Sequence, residues 1–158
     1  MQYLGIDPGV SGGLAVLSES GDALWVCKMP ATDRELLELL GEQSAKEPTR
    51  GLIEKLGGMP RENGRAKQSP TTMFKMGRNY GALHMALAAA GIPYSEILPR
   101  AWQMNFGLLR AKSSESQTGK KNRHKQMAQQ LFPTLKITHA TADALLIAHY
   151  CRWVERQL

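Results

Sequence analysis

Cysteine is scarce in this chain, and long apolar runs are missing altogether. Its two cysteines, Cys27 and Cys151, lie far apart and match no metal-ligand spacing. The expectation is therefore two reduced, buried thiols. No stretch approaches the roughly 20 apolar residues that cross a bilayer, and no signal peptide opens the sequence, so a cytoplasmic protein is expected. Internal repeats are lacking, as is any linker that would divide the chain. The 158 residues, 42% hydrophobic and 22% charged, suit one soluble domain with a core around one sheet.

Charge is unevenly placed. The net charge is +6, but residues 55–78 hold six Lys/Arg against one Glu, and residues 100–125 hold seven against one. What remains, seven Lys/Arg against twelve Asp/Glu, is net negative by five. Two basic blocks on an otherwise acidic chain suggest a polyanion-binding face.

Strand and helix signals alternate along the chain. Gln2–Asp7 is apolar and ends at Pro8-Gly9. Gly13–Leu17 and Ala23–Lys28 follow, separated by a turn at residues 19–22. Connections this short give an antiparallel meander. Thr32 or Asp33 caps a helix whose buried stripe is Leu36, Leu37, Leu39 and Leu40. Residues 51–54 (GLIE) suit a central strand parallel to the first. Residues 57–69 read as a Gly-rich basic loop, and Ser69-Pro70 starts the next helix, with Met73, Met76, Tyr80, Leu83 and Leu87 inward and Gly91 as its stop. Gly77 and Gly81 leave a flat strip on that helix. Residues 94–98 form a fifth strand and 99–108, with Trp102 and Phe106, a short helix. Residues 109–120 lack periodicity and are expected to be a mobile basic loop. Helices over 121–131 and 140–156 end the chain. This order, β-β-β-α-β-α-β-α-α, predicts an α/β fold: an RNase H-like, five-stranded mixed sheet flanked by helices.

That topology brings distant acids together. Asp7 ends the first strand and Glu54 ends the strand laid parallel to it, so the two carboxylates stand side by side. Asp143 opens the last helix, and His139, four residues earlier, shares its face if helical geometry extends that far. Oxygen ligands with one imidazole suit Mg²⁺ or Mn²⁺. Two such ions about 4 Å apart activate water and stabilise a leaving 3′ oxygen in phosphodiester cleavage. Without metal, carboxylates this close repel and tend to retain a proton.

In its motifs the chain resembles the RuvC family, and is similar to its short phage, bacterial and plant-chloroplast members. The resemblance runs over nearly the whole length: LGIDPGVSGGLAVL at 4–17, LIEKLGGMP at 52–60, TTMFKMGRNYG at 71–81, PRAWQMNFGL at 99–108, Lys121 with LFP at 131–133, and HATADALLIAHY at 139–150. It implies a crossover junction endodeoxyribonuclease that resolves four-way (Holliday) junctions by paired nicks, with two Mg²⁺ per active site and Mn²⁺ as a substitute. It further implies metal ligands at Asp7, Glu54 and Asp143, with His139 in the fourth position because Ala140 stands three residues before Asp143. Lys121 matches a family lysine near the scissile phosphate. Where members commonly carry a lysine after the PxxW tryptophan, this chain has Gln103, and Lys112 or Lys120 is the candidate to compensate.

Family members act as two-fold dimers, and the helix over 70–90 with its Gly77-Gly81 strip is the candidate dimer surface. Arg61, Arg65 and Lys67 are expected on phosphates, with Met59 as an apolar wedge at an unstacked crossover. Lys75, Arg78, Lys112, Lys120, Arg123 and Lys125 complete the expected DNA-binding set. A bacterial or phage-infected cell and its nucleoid is the expected setting. Competing readings are an RNase H-like nuclease acting on RNA or other branched DNA, and a DNA-binding module without chemistry. A sugar-kinase-like phosphotransferase lacks its second Asp-x-Gly motif and second lobe here.

Overall fold

A computed structural model describes residues 1–57, 61–62, 65–66, 69–109 and 116–157, with backbone alone at 61, 62, 65 and 66. Its elements are β1 (Gln2–Asp7), β2 (Gly13–Leu17), β3 (Ala23–Lys28), α1 (Asp33–Lys46), β4 (Thr49–Glu54), β5 (Arg61–Glu62), β6 (Arg65–Ala66), α2 (Pro70–Ala89), β7 (Tyr94–Ile97), α3 (Pro99–Asn105), α4 (Gln117–Leu131) and α5 (His139–Glu155). Five strands form one mixed sheet in the order β3-β2-β1-β4-β7, with β1 to β3 antiparallel and β1, β4 and β7 parallel. The α/β architecture expected from the pattern is the one observed. Among the described residues no helix is long and apolar enough to cross a membrane.

Successive strand residues point to opposite faces, and both faces of this sheet are covered. Leu4, Ile6, Leu14, Val16 and Ile53 pack against Leu36 and Leu40 of α1 and Leu83 and Leu87 of α2. Tyr3, Ala15, Leu17 and Leu52 face α3, α4 and α5 through Trp102, Ala128, Leu145 and Ala148. Leu145, Leu146 and Ile147 are fully buried. Each contributes roughly 1.5–3 kcal/mol of apolar transfer.

Glycine sets how α5 sits on the sheet. A Cβ on Gly5 would lie 2.2 Å from the Ala148 amide nitrogen and 2.3 Å from the Ala144 carbonyl oxygen. One on Gly13 would lie 2.8 Å from the Ala140 carbonyl oxygen. Gly13 pairs with Asp7 across the meander. The row Ala140, Ala144, Ala148 thus runs antiparallel to β1, and the first turn of α5 stands over the carboxyl end of that strand.

Several sequence expectations need correcting. Leu37 is exposed, since it lies about 100° round α1 from Leu36, and only Leu36 and Leu40 of the four leucines are fully inward. Gln43 takes the next buried position, bonded to Trp25, Gln2 and Thr49. The stretch 57–69 is not wholly loop: it contains the β5-β6 hairpin. Nor is 109–120 wholly loop, because Ser116 caps α4 and the helix begins at Gln117. Met73 and Met76 are only half-buried. Both cysteines are free, Cys151 buried and Cys27 half-buried.

Candidate active site

Ile6 and Ile53 are register partners in the parallel β1-β4 pair, so Asp7 and Glu54, one residue further on, end their strands level. The turn after β1 wraps the first of these acids. Gly9 N–H donates to Asp7 Oδ1 at 3.2 Å, and Gly12 N–H donates to the Gly9 carbonyl at 2.8 Å. A Cβ on Gly12 would sit 2.7 Å from the Asp7 Cγ. That approach explains the glycine-rich DPGVSGG run.

Asp143 projects from the second turn of α5, the end held over β1 by the glycine seam. Its charge acts on both other acids. Burial and then the Asp143 charge push Asp7 up to about 6, opposed by the Gly9 amide and by Lys121. Burial pushes Glu54 up to about 7; the Trp102 N–H opposes this, Asp7 and Asp143 reinforce it, and the Lys120 charge lowers it. Both acids are thus shifted toward holding a proton, chiefly by burial and further by the charge of neighbouring carboxylates. Three acids expected from sequence are electrostatically coupled here, with Lys121 and Lys120 as counter-charges.

Two residues the sequence reading passed over grip these acids. Trp102 Nε1 donates to Glu54 Oε2 at 2.6 Å, and the ring is fully buried. His124 Nδ1 lies 2.7 Å from Asp143 Oδ1, with the imidazole 2% exposed. A carboxylate acceptor makes Nδ1 the protonated nitrogen. The two rings meet edge to face, with centroids 5.3 Å apart. Their rarity within polar segments was the available signal: one indole in α3, and one imidazole amid the lysines and glutamines of α4. His139, by contrast, is exposed at the start of α5 and pairs through Nε2 with Asn122 Oδ1 at 2.9 Å. The imidazole in hydrogen-bond contact with Asp143 is His124.

The donor set fits a hard divalent cation: three carboxylates, two of them holding protons too tightly for exposed acids, beside a basic rim. Among the described residues no three His, Cys, Asp or Glu side chains close around one point. Trp102 and His124 each engage one oxygen of a carboxylate, so the acids stand as an open cluster.

The other expected DNA contacts are dispersed. Lys120 lies within α4 and not in the loop expected to hold it, directly before Lys121, which is helical as expected. Arg123 donates to the Leu108 carbonyl at 3.1 Å, and Lys125 is half-buried. On α2, Lys75 is exposed, whereas Arg78 pairs with Asp33 of α1 at 2.7 Å. Arg61 and Arg65 belong to the hairpin backbone, and their side chains lie outside the described residues, as do Met59, Lys67 and Lys112. Tyr80 donates to Glu96, which pairs with Lys55 at 3.5 Å, tying α2 to the ends of β4 and β7. Along the outer face of α2, Phe74 is 74% and Met85 69% exposed, and space is open above Gly77 and Gly81.

The chain is similar in structure to RuvC of Thermus thermophilus, at a TM-score of 0.61 and 19% identity. It is similar also to T. thermophilus RuvC in complex with a Holliday junction substrate, at a TM-score of 0.61 and 22% identity. Each comparison covers 99% of this chain and 96% of the other. No family model and no curated protein matches the sequence. The likeness establishes the fold alone, the α/β, RNase H-like arrangement of those structures.

Proposed function

We propose that this chain is a divalent-metal-dependent, structure-selective DNA endonuclease that resolves four-way junctions by symmetric nicks. The observation that carries it is the coupled cluster of Asp7, Glu54 and Asp143 at the carboxyl ends of β1 and β4 and the start of α5, faced by Lys120 and Lys121. A neighbour of the same fold bound to a Holliday junction supports the choice of DNA substrate.

Asp7, Glu54 and Asp143 would hold Mg²⁺, with His139 as the fourth expected ligand. Two bound ions would supply an activated water and neutralise charge at the leaving oxygen. The protein's own part is orientation. Gly9 N–H, Trp102 N–H and the His124 ring each fix one carboxylate at one oxygen, which limits the reorganisation needed when charge develops. Lys121 and Lys120 draw the phosphate toward the acids and offset its charge. Two copies meeting along the Phe74–Met85 face of α2 would present two sites at a fixed spacing. Junction choice then follows from geometry, because phosphate contacts alone accept many DNAs.

The test is cleavage of an end-labelled four-way junction beside a linear duplex of the same sequence, with Mg²⁺ or EDTA. Paired nicks in the junction with Mg²⁺, and none with EDTA or in the duplex, are expected. Equal cutting of both DNAs, or cutting that survives EDTA, would overturn the proposal.

A further inference from the structure

Beside the carboxylates lies a cavity of about 640 Å³ between α3 and α4, lined by Pro99, Arg100, Gln103, Leu108, Leu109, Ser116, Gln117, Lys120 and Arg123. Its size is within the roughly 300–1,000 Å³ of small-ligand sites. Lys120, one of its lining residues, is a cation whose charge acts on Glu54. Trp102, which holds Glu54, directly precedes Gln103 on α3. Lys121, whose charge acts on Asp7, directly follows Lys120 on α4.

The lining has three chemistries. Arg100 and Lys120 bring positive charge, and no described carboxylate lines the cavity. Pro99, Leu108 and Leu109 give an apolar wall. Gln103, only 8% exposed, gives a buried amide with both donor and acceptor capacity. A single inorganic anion would use the charge but neither the apolar wall nor the amide. A nucleotide uses all three: phosphate on the cations, base face on the leucines, base edge on the glutamine.

We propose that this cavity is a nucleoside pocket, which takes one unstacked nucleotide next to the scissile phosphate and reads its base through Gln103. The inference rests on the endonuclease reading above and names how that site selects its cleavage sequence. Unstacking is least costly at an already distorted junction. Arg100 and Lys120 would hold the adjoining phosphate while the base enters.

The experiment uses full-length Asp7→Asn protein and four-way junctions carrying 2-aminopurine at each position flanking the nick. Binding should raise the fluorescence at one position, and the rise should vanish in Asp7→Asn/Gln103→Leu and Asp7→Asn/Arg100→Ala. In the cleaving protein, the best of the four natural bases at that position should outpace the worst by about tenfold. Gln103→Leu should flatten that ranking. Because Gln103 is buried, the exposed Arg100 carries the test should Gln103→Leu fail to fold. No rise at any position, or an unchanged base ranking in the variants, overturns the pocket. Weaker junction binding by Arg100→Ala with fluorescence and ranking intact marks a plain phosphate site, and likewise overturns it. If Asp7→Asn protein binds no four-way junction at all, the endonuclease reading fails first, which is a distinguishable result.

Discussion

Trp102 and Glu54, 48 residues apart in sequence, are joined by a 2.6 Å hydrogen bond from the indole N–H to Oε2. The same indole meets His124 edge to face, and His124 contacts Asp143. One buried aromatic pair therefore links two of the three acids. Trp102→Phe keeps an aromatic ring in the core and removes the N–H donor together with the pyrrole part of the indole. Junction cleavage at limiting Mg²⁺ should fall roughly 10- to 100-fold, as for residues that orient metal ligands, with a higher metal midpoint. A Mg²⁺ titration of the cleavage rate, repeated by Mn²⁺ binding calorimetry, measures both. An unaltered midpoint in both assays would mean that the indole does not orient Glu54.

His124 separates orientation from stability. Its Nε2 is buried with no hydrogen-bond partner among the described residues, an arrangement that costs the fold about 1–3 kcal/mol. His124→Leu should leave the melting temperature unchanged or higher while cutting cleavage about tenfold or more. His124→Asn, whose amide can place an N–H near the Nδ1 position, should recover much of the activity. Equal activity in the two variants would remove the contact from the catalytic apparatus.

Asp7→Asn should abolish cleavage yet keep junction binding, measured by gel cleavage and fluorescence anisotropy. It carries a pH signature as well. Asp7 is raised from 3.8 to about 6 and Glu54 from 4.5 to about 7, both chiefly by burial. The folded protein thus binds these protons more tightly than the unfolded chain, and metal-free stability should fall as pH rises from about 4 to 7. Removing the Asp7 charge should raise the melting temperature by several degrees at pH 8 in EDTA and by little at pH 4. Wild-type cleavage should climb between pH 5 and 8 as the acids ionise. A melting-temperature gain that is the same at both pH values would contradict the upward shift of Asp7.

Gly5→Ala tests how α5 is seated. Its new methyl would fall within 2.3 Å of backbone atoms of Ala144 and Ala148, so the helix must move. Overpacking of this kind costs about 1–3 kcal/mol. Both thermal stability and cleavage should drop, because Asp143 moves with the helix. A calorimetric melt beside the cleavage assay decides; full activity at wild-type stability would refute the seam.

Gly81→Leu tests α2. Space is open above Gly81, and leucine is the better helix former, so the monomer should fold at least as well. Sedimentation equilibrium should show a lighter species than wild type, and paired nicking should give way to single nicks. A dimer that persists unchanged would place the two-fold contact elsewhere.

Much of this was legible in sequence, for identifiable reasons. Apolar stretches ending at Asp7 and Glu54 defined two strands, and a parallel pair leaves its last residues adjacent, so that part of the site followed from topology. The hairpin was also signalled, by Asn63-Gly64 between short segments, a pairing favoured in two-residue turns, but its basic composition read as loop. The start of α4 was hidden because residues 117–131 are polar nearly throughout, with His124 and Ala128 as its buried positions. His124 stands out in that run as its one imidazole, but rarity alone does not place it inside. Its burial exists only once Trp102 arrives from another helix. The same holds for Arg78, whose partner Asp33 lies 45 residues away.

The glycine seam also bears on how such a protein diverges. Asp7 ends the central strand, and Asp143 rides the helix pressed directly on that strand, so both acids are extensions of the hydrophobic interior. Substitutions at the seam that seats them disturb folding too, and selection on either property guards the pair's placement. The hairpin, the outer face of α2 and the mouth between α3 and α4 carry no such double duty. Those parts are free to drift toward new target sequences and new partner copies, while a handful of interior positions keeps the chemistry in place.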